Sequence, residues 1–368
     1  MDVLVLFYPY FIFLVSTYII WRVSDSFDLA ASYLTRDLKP GIKGPTVNAV
    51  ASSLPELLIS FIFLFQYNDI SGFSAGFATI VGSSIFNIAM IPAIAFLVIY
   101  YQGKSKEFIT YRNIILQDGA FLLIAELMLL GALFFAGVSL EMAVLLIGIY
   151  LIYIIYIYKK RMGGNKVDEA NEYIDTIVAQ SWIRNLVSLN LFALLSRKRT
   201  IDNFNAFSVA LASILFIGCA CYMLVGACEH ISDQVGVDIF VVGFVVAAIA
   251  SSFPDTLLSI KDAQKGKYMD AFSNAFGSNI FDICIGIGLP VLVYLLVNDM
   301  DGLTGIANAE LVLSSASLLV LFTVLICFLY WIGNLKLWNS ILIIGLYFLF
   351  VWMVLYLSNN DLNILNSL

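Results

Sequence analysis

Apolar runs about twenty residues long recur along the chain, from "VLVLFYPYFIFLVSTYII" at 3–20 to "ILIIGLYFLFVWMVLYL" at 341–357. Each is long enough to cross the hydrocarbon of a bilayer as a helix. The backbone finds no water there, so a crossing segment must satisfy its own N–H and C=O groups. A closed barrel is the other solution, but it needs alternating strands of roughly ten residues, and the sequence has none. Of the 368 residues, 61% are hydrophobic and only 12% charged, about half the charged share of a soluble domain. The expected fold class is an all-α polytopic membrane protein.

Ten segments read as transmembrane helices: 3–23, 42–65, 72–99, 110–133, 138–158, 204–229, 238–260, 269–297, 308–330 and 338–357. No small-residue cleavage site follows the first, which reads as a retained anchor and not a signal peptide. The basic residues set the topology, because all 19 Lys and Arg lie in alternate connections or at their edges. Arg22, Arg36, Lys39 and Lys43 lie between the first two segments, and Lys104, Lys106 and Arg112 between the third and fourth. Lys159, Lys160, Arg161, Lys166, Arg184, Arg197, Lys198 and Arg199 lie between the fifth and sixth. Lys261, Lys265 and Lys267 follow the seventh, and Lys336 separates the last two. The other connections carry acids such as Asp69, Asp233, Asp238, Asp299 and Asp301. By the positive-inside rule the basic connections are cytoplasmic and both termini lie outside. The net charge of −7 is thus split between two faces and says little about partners. Cys219, Cys221, Cys228, Cys284 and Cys327 all fall in apolar segments without metal-type spacing. They read as small core residues, not a disulfide framework or a zinc site.

Within this plan one pattern occurs twice. "GPTVNAVASSLPELLIS" at 44–60 and "GFVVAAIASSFPDTLLS" at 243–259 agree at nine of seventeen positions. "FATIVGSSIFNI" at 77–88 and "FSNAFGSNIFDI" at 272–283 agree at six of twelve. The copies are five segments apart, an odd offset, so they run oppositely through the bilayer. Two inverted five-helix repeats follow, 1–158 and 204–368, joined by a cytoplasmic loop at 159–203. Inverted repeats with interrupted helices recur in secondary transporters, whose sites lie at the repeat interface.

The repeated residues suit cation chemistry. Ser52, Glu56 and Ser60 are spaced by four, as are Ser251, Asp255 and Ser259. Thr79, Ser83 and Asn87 repeat that spacing, as do Asn274, Ser278 and Asp282. Such residues share one helix face. Pro55 and Pro254 remove N–H donors, freeing carbonyls of Ala51 and Ser52 and of Ala250 and Ser251. A charge at the bilayer centre costs about 2.5–3.5 kcal/mol on insertion scales, and every Lys and Arg lies in a connection or at a segment end, away from these acids. Mobile cations are the natural counterions. Carboxylate, hydroxyl, amide and carbonyl oxygens are the ligands of Ca²⁺, and the absence of soft ligands argues against copper or zinc.

"ASSLPELLIS" with "GSSIFNI", and "ASSFPDTLLS" with "GSNIFDI", resemble the two α-repeats of the cation/Ca²⁺ exchanger superfamily. The likeness is closest to Na⁺/Ca²⁺ exchangers, including K⁺-dependent ones. The resemblance implies an antiporter that alternates between faces, with a central Ca²⁺ site among Na⁺ sites. It makes Glu56 and Asp255 the paired Ca²⁺ carboxylates, assisted by Ser52 and Ser251. Ser53, Ser83, Asn87, Ser252, Ser278 and Asp282 take the Na⁺ positions. Aspartate at 282 matches K⁺-dependent members but also prokaryotic relatives, which leaves K⁺ co-transport open. Ala51, Ala250 and Ser84 depart from the family pattern. The expected ligands are the transported Ca²⁺ and Na⁺, with no resident cofactor, and the expected partners are small inorganic cations and the bilayer, with no nucleic acid. Oligomeric state stays open. The implied location is the cell membrane, multi-pass.

Several residues lie outside the repeats. Glu126 is read as either a protonated packing residue or an accessory cation or proton site. Asp118 is expected to be solvated near the cytoplasmic end, and His230 to lie at the outer surface. "WIRNLVSLNLFALL" at 182–195 suits a short amphipathic helix on the inner surface. The 159–203 loop lacks an EF-hand pattern and is too short for a large Ca²⁺-sensing domain. The leading expectation is a Na⁺/Ca²⁺ antiporter, with a H⁺/Ca²⁺ antiporter as the alternative, since clustered carboxyls can also hold protons. An aspartyl protease is disfavoured because neither acid sits in a Gly-Xaa-Gly-Asp context. A channel differs from an exchanger in turnover and counter-ion dependence, which residues alone do not reveal.

Overall fold

The computed structural model describes residues 3–36, 46–47, 49–67, 70–160, 182–195 and 202–365. Lys39, Lys43, Asp69, Arg161, Lys166, Arg197, Lys198, Arg199 and much of the 159–203 loop lie outside the described residues. The chain is helical almost throughout. Its first part holds α1 (Val3–Leu34), α2 (Ala49–Ser52), α3 (Leu54–Gln66), α4 (Ile70–Tyr101), α5 (Arg112–Phe135) and α6 (Leu140–Lys160). Two short helices follow, α7 (Trp182–Val187) and α8 (Leu191–Leu195). The later part holds α9 (Asn203–Val235), α10 (Ile239–Val242), α11 (Ala248–Ser251), α12 (Phe253–Gln264), α13 (Tyr268–Phe281), α14 (Gly288–Val297), α15 (Ala309–Ile332) and α16 (Leu337–Leu365). Wider π turns at Gly243–Ala247 and Asp282–Ile287 join α10 to α11 and α13 to α14.

Helix lies over each apolar segment, although the ends differ from the expected ones. Among the described residues eight helical stretches are long and apolar enough to cross a membrane; α1, α2 and α3 also lie over apolar segments. α1 runs to Leu34 rather than 23, because neither glycine nor proline occurs between Pro9 and Pro40. α9 is capped at both ends. Asp202 accepts from the Asn205 N–H at 2.7 Å, and Gly236, at φ 71°, closes the other end in the left-handed region. His230 therefore lies inside a helix, exposed on its surface. Cys219 is exposed on α9, whereas the other four cysteines are buried as expected. Asp118 corrects the expectation of a solvated acid, because α5 turns it fully inward.

The helices form two bodies in contact. α1 and α9 pack along one another and share an apolar cluster with Leu191 and Phe192 of α8. The rest assembles around α4, which touches α3, α12, α13, α15, α16 and the 243–247 turn. That turn crosses α4 backbone to backbone. A Cβ on Gly82 would lie 2.1 Å from the Phe244 carbonyl oxygen and 2.8 Å from the Ala248 methyl. A Cβ on Gly243 would lie 2.8 Å from the Ala75 carbonyl. Small residues at such crossings let helices approach closely where burial alone supplies little drive.

The described basic connections meet at one end of the bundle. Lys104 Nζ donates to Gln264 O at 3.1 Å, and Arg36 to Asn203 Oδ1 at 2.9 Å. Phe108 and Leu335 form an antiparallel bridge, and Lys261 pairs with Asp25 at 2.7 Å. Elsewhere β1 (Val138–Ser139) pairs antiparallel with β2 (Gly302–Leu303), joining the connection before α6 to the one before α15, which carries Asp299 and Asp301. Replacing Gly82 with alanine forces α4 off the 243–248 segment. Overpacking of this kind destabilises by about 1–3 kcal/mol, and the detergent-solubilised Gly82→Ala protein is expected to melt measurably below the parent.

Candidate functional site: a buried oxygen cluster at two broken helices

Pro55 and Pro254 have no N–H to offer the carbonyls of Ala51 and Ala250, four residues earlier. At each place the helix breaks one residue before its restart. Ser53 adopts φ −89° and ψ 6°, and Ser252 adopts φ −79° and ψ 0°. New helices, α3 and α12, then begin with the proline in the first turn, where its missing donor is harmless. Glu56 and Asp255 fall in those same first turns. A helix N-terminus carries partial positive charge and favours a carboxylate. Each breaker therefore sets up a local field for the acid beside it.

Glu56, Asp255 and Asp282 are fully buried. Ser83 joins the two halves: its Oγ donates to Glu56 Oε1 at 3.3 Å and lies 2.8 Å from Ser252 Oγ. Ser252 Oγ also donates to Glu56 Oε1 at 3.3 Å, and Asn87 Nδ2 donates to Ser83 Oγ at 3.4 Å. Asp255 has the matching set. Ser278 Oγ and Asn274 Nδ2 each donate to its Oδ1 at 3.2 Å, and Ser52 Oγ lies 3.4 Å from Ser278 Oγ. Ser52 and Ser251 also turn back to the carbonyls of Ala49 and Ala248, at 3.3 and 3.1 Å.

The motifs from distant parts of the chain thus meet, and they meet unsatisfied. Ser53 Oγ, Glu56 Oε2, Asn87 Oδ1, Asp255 Oδ2, Asn274 Oδ1 and both oxygens of Asp282 are buried without a hydrogen-bond partner. Nearly all of these are acceptors, and buried acceptors normally find donors. Among the described residues no three acidic, histidine or cysteine side chains cluster tightly enough to hold a metal by themselves. Hydroxyl and amide oxygens lie between the carboxyls and complete an all-oxygen environment. Such a donor set suits hard cations.

Asn274 is the residue that sequence reasoning left out of the site. Its signal was present as the first member of the Asn274, Ser278, Asp282 spacing. Its counterpart Thr79 instead bonds Ala75 O on its own helix at 3.0 Å, so the two copies are not equivalent. Asn279 spans the interface by donating to the Ser84 carbonyl at 2.8 Å. From α9, Cys221 Sγ lies 3.8 Å from the Pro55 carbonyl, bringing the second body to the edge of the broken helix. Glu126 is separate: Thr323 Oγ1 donates to its Oε1 at 2.8 Å, linking α5 to α15.

The chain is similar to several known proteins. A family profile described as sodium/calcium exchanger protein matches residues 8–159 and 205–356. Sodium/potassium/calcium exchanger 2 of Gallus gallus is 33% identical over 141 residues, covering 38% of this chain and 21% of that protein. Sodium/potassium/calcium exchanger 1 of Homo sapiens is 30% identical over 146 residues, covering 38% of this chain and 13% of that protein. The matched stretch is therefore about a fifth or less of those relatives' length. Among solved structures, the H⁺/Ca²⁺ exchanger CAX superposes with a TM-score of 0.68 at 15% identity, covering 98% of this chain and 88% of that one. The sodium-calcium exchanger NCX_Mj gives 0.58 at 18% identity, covering 93% and 96%. At these identities the likeness shows a shared helical fold.

Two outcomes test the geometry. Ser83→Ala and Ser252→Ala remove one shared hydrogen bond, so a double-mutant cycle on thermal stability is expected to show non-additivity of about 0.5 kcal/mol or more. Thr323→Val leaves the Glu126 carboxyl without its partner and is expected to destabilise by about 1–3 kcal/mol. Glu126→Gln, which keeps an acceptor for Thr323, is expected to melt close to the parent.

Proposed function

This chain belongs to the sodium/calcium exchanger protein family, a family of multi-pass membrane transporters, and on that premise we propose that it is a Na⁺/Ca²⁺ antiporter working by alternating access. In this reading ten helices cross the cell membrane with both termini outside, as two inverted repeats at 1–158 and 204–368 around a cytoplasmic loop. Glu56 and Asp255, with Ser52 and Ser251, coordinate Ca²⁺. Ser53, Ser83, Asn87, Ser252, Ser278 and Asp282 form the Na⁺ positions, and Asp282 is where K⁺ enters if it is co-transported.

One observation carries the reading. Three buried carboxyls and the serine and asparagine side chains beside them leave seven oxygens unpartnered, four of them on the carboxyls, and no described Lys or Arg bonds to any of them. Burying carboxylates without compensation costs several kcal/mol per ion. A bound cation relieves that penalty, and either one Ca²⁺ or several Na⁺ supplies the charge. The site without cargo retains its mutual repulsion, which disfavours enclosing it. Transport is then tied to exchange, because the protein reorients readily only when loaded.

The same carboxyls support a second reading, a H⁺/Ca²⁺ antiporter. A cluster of like-charged buried acids can also be relieved by protonation, and CAX shares the fold. Vesicle uptake separates the two. With internal and external pH clamped equal, an outward Na⁺ gradient is expected to drive Ca²⁺ uptake. Uptake driven only by a pH gradient overturns the Na⁺ reading in favour of the second. Glu56→Gln and Asp255→Asn are each expected to lower Ca²⁺ binding by at least about tenfold, the equivalent of 1.4 kcal/mol, measured calorimetrically on folded protein.

A further inference from the structure

α6 and α16 carry a short matching block of their own. "LIGIYLIY" at 146–153 and "IIGLYFLF" at 343–350 pair Ile147 with Ile344, Gly148 with Gly345 and Tyr150 with Tyr347. The fold gives the two tyrosines equivalent places. Tyr150 meets Phe281 edge-on, with ring centroids 5.5 Å apart and planes at 73°, and Tyr347 meets Phe86 at 5.7 Å and 80°. Phe281 immediately precedes Asp282, and Phe86 immediately precedes Asn87. Each buried tyrosine ring therefore packs beside the last polar member of a site stripe. Edge-on ring pairs fix the orientation of both partners.

The equivalence ends at the polar residue itself. Asn87 brings its own N–H donors, one of which reaches Ser83 Oγ at 3.4 Å. An ionised Asp282 has acceptors only, and both of its oxygens are buried without a hydrogen-bond partner. The Tyr150 hydroxyl is likewise buried without a partner, although a buried phenol normally finds an acceptor. α6 lies tightly against the 282–287 turn that Asp282 opens. Just past that turn, a Cβ on Gly288 would lie 3.2 Å from the Ala143 carbonyl oxygen and 3.3 Å from Leu146 Cβ. Cys284 and Asp282 are the groups whose charge acts on the Tyr150 hydroxyl. A thiol is a weak acceptor and a carboxylate a strong one. An orphaned donor and an orphaned carboxylate thus belong to the same helix contact.

We propose that Tyr150 is the positioning residue of Asp282: on a turn of the carboxyl its hydroxyl donates to one Asp282 oxygen and directs the other into the cluster. The inference rests on the reading of Asp282 as a monovalent-cation position and adds what sets its preference. A carboxylate with one oxygen engaged presents a single oxygen and less charge to the cluster, which suits Na⁺. With both oxygens free it presents its full charge and a bidentate edge, and such ligands raise Ca²⁺ affinity. Tyr150 thereby keeps the third acid of the site from serving Ca²⁺. Tyr347 has no such task, because Asn87 carries no charge.

The test uses the full chain in detergent and the variant Tyr150→Phe, which removes the hydroxyl and keeps the ring on Phe281. In chelator, with choline as the only added cation, Tyr150→Phe is expected to melt below the parent. In an Asp282→Leu background, which has no acceptor, it is expected to make no difference. Melting at or above the parent, or an equal loss in both backgrounds, overturns the proposal, because the hydroxyl then bonds nothing or bonds Cys284. No transported ion enters this arm, so its outcome is separate from that of the transport reading. Calorimetric displacement of Ca²⁺ by Na⁺ tests the preference. The ratio of Na⁺ to Ca²⁺ affinity is expected to fall about fivefold in Tyr150→Phe, roughly the worth of one hydrogen bond, and to stay at the parent value in Tyr347→Phe. An unchanged ratio in Tyr150→Phe, or the same fall in Tyr347→Phe, overturns the proposal. If Na⁺ fails to displace Ca²⁺ from the parent, the Na⁺ reading falls, and the melting cycle still decides whether Tyr150 holds Asp282.

Discussion

Pro55 and Pro254 each withdraw one backbone donor from the middle of an apolar segment, and much of the architecture follows from that withdrawal. A helix in hydrocarbon cannot leave carbonyls unbonded without compensation. The chain breaks at Ser53 and Ser252, and a new helix begins beyond each. The break does two things at once. It ends α2 and α11 with free carbonyls, and it starts α3 and α12 with amide groups directed at the following acid. Glu56 and Asp255 are held where the backbone provides positive potential, and no described Lys or Arg bonds to either.

The remaining imbalance is what makes the site chemical rather than structural. A core built for stability would have matched its acceptors with donors. Here Ser83, Ser252, Ser278 and Asn274 satisfy one oxygen of each paired acid and leave the other open. Glu126 provides the contrast within the same molecule. It too leaves one oxygen open, but its single bond to Thr323 joins two helices away from the cluster, and no second carboxyl or serine pair shares it. The cluster is also unequal between its halves, with Asn274 bonded to Asp255 while Thr79 bonds its own helix. Two copies of one pattern thus present different ligand sets to the shared interior.

Around this centre the fold uses two kinds of packing. Backbone-to-backbone packing of Gly82 and Gly243 leaves α4 and the 243–248 segment little freedom. α1 and α9 instead pack mainly on one another. They meet the site through side chains, with Cys221 on the Pro55 carbonyl, Trp21 on Phe253, Asp25 with Lys261, and an apolar cluster shared with Ile59 and Phe63. Contacts between side chains can slide past one another, whereas a close glycine crossing resists it.

Much of this was legible from residue order alone. Apolar length dictates helices, because a backbone in hydrocarbon has few alternatives. The doubled Ser-Ser-Xaa-Pro-acid pattern identifies the breaks and their oxygens, because proline chemistry is local. What a helix face touches is not local. Spacing put Asn274 and Thr79 on equivalent faces, but only the packing decided that one reaches an acid and the other its own helix. Its place toward the cytoplasmic end likewise suggested a solvated Asp118, whereas the helices covering α5 bury it. α1 continues to Leu34 because no glycine or proline interrupts it, but only the packing pairs its Asp25 and Arg22 with α12 and the 182–195 segment. Sequence determined which groups had to be satisfied within the membrane. Tertiary structure decided which neighbours satisfy them, because those partners come from other helices, several of them more than a hundred residues away.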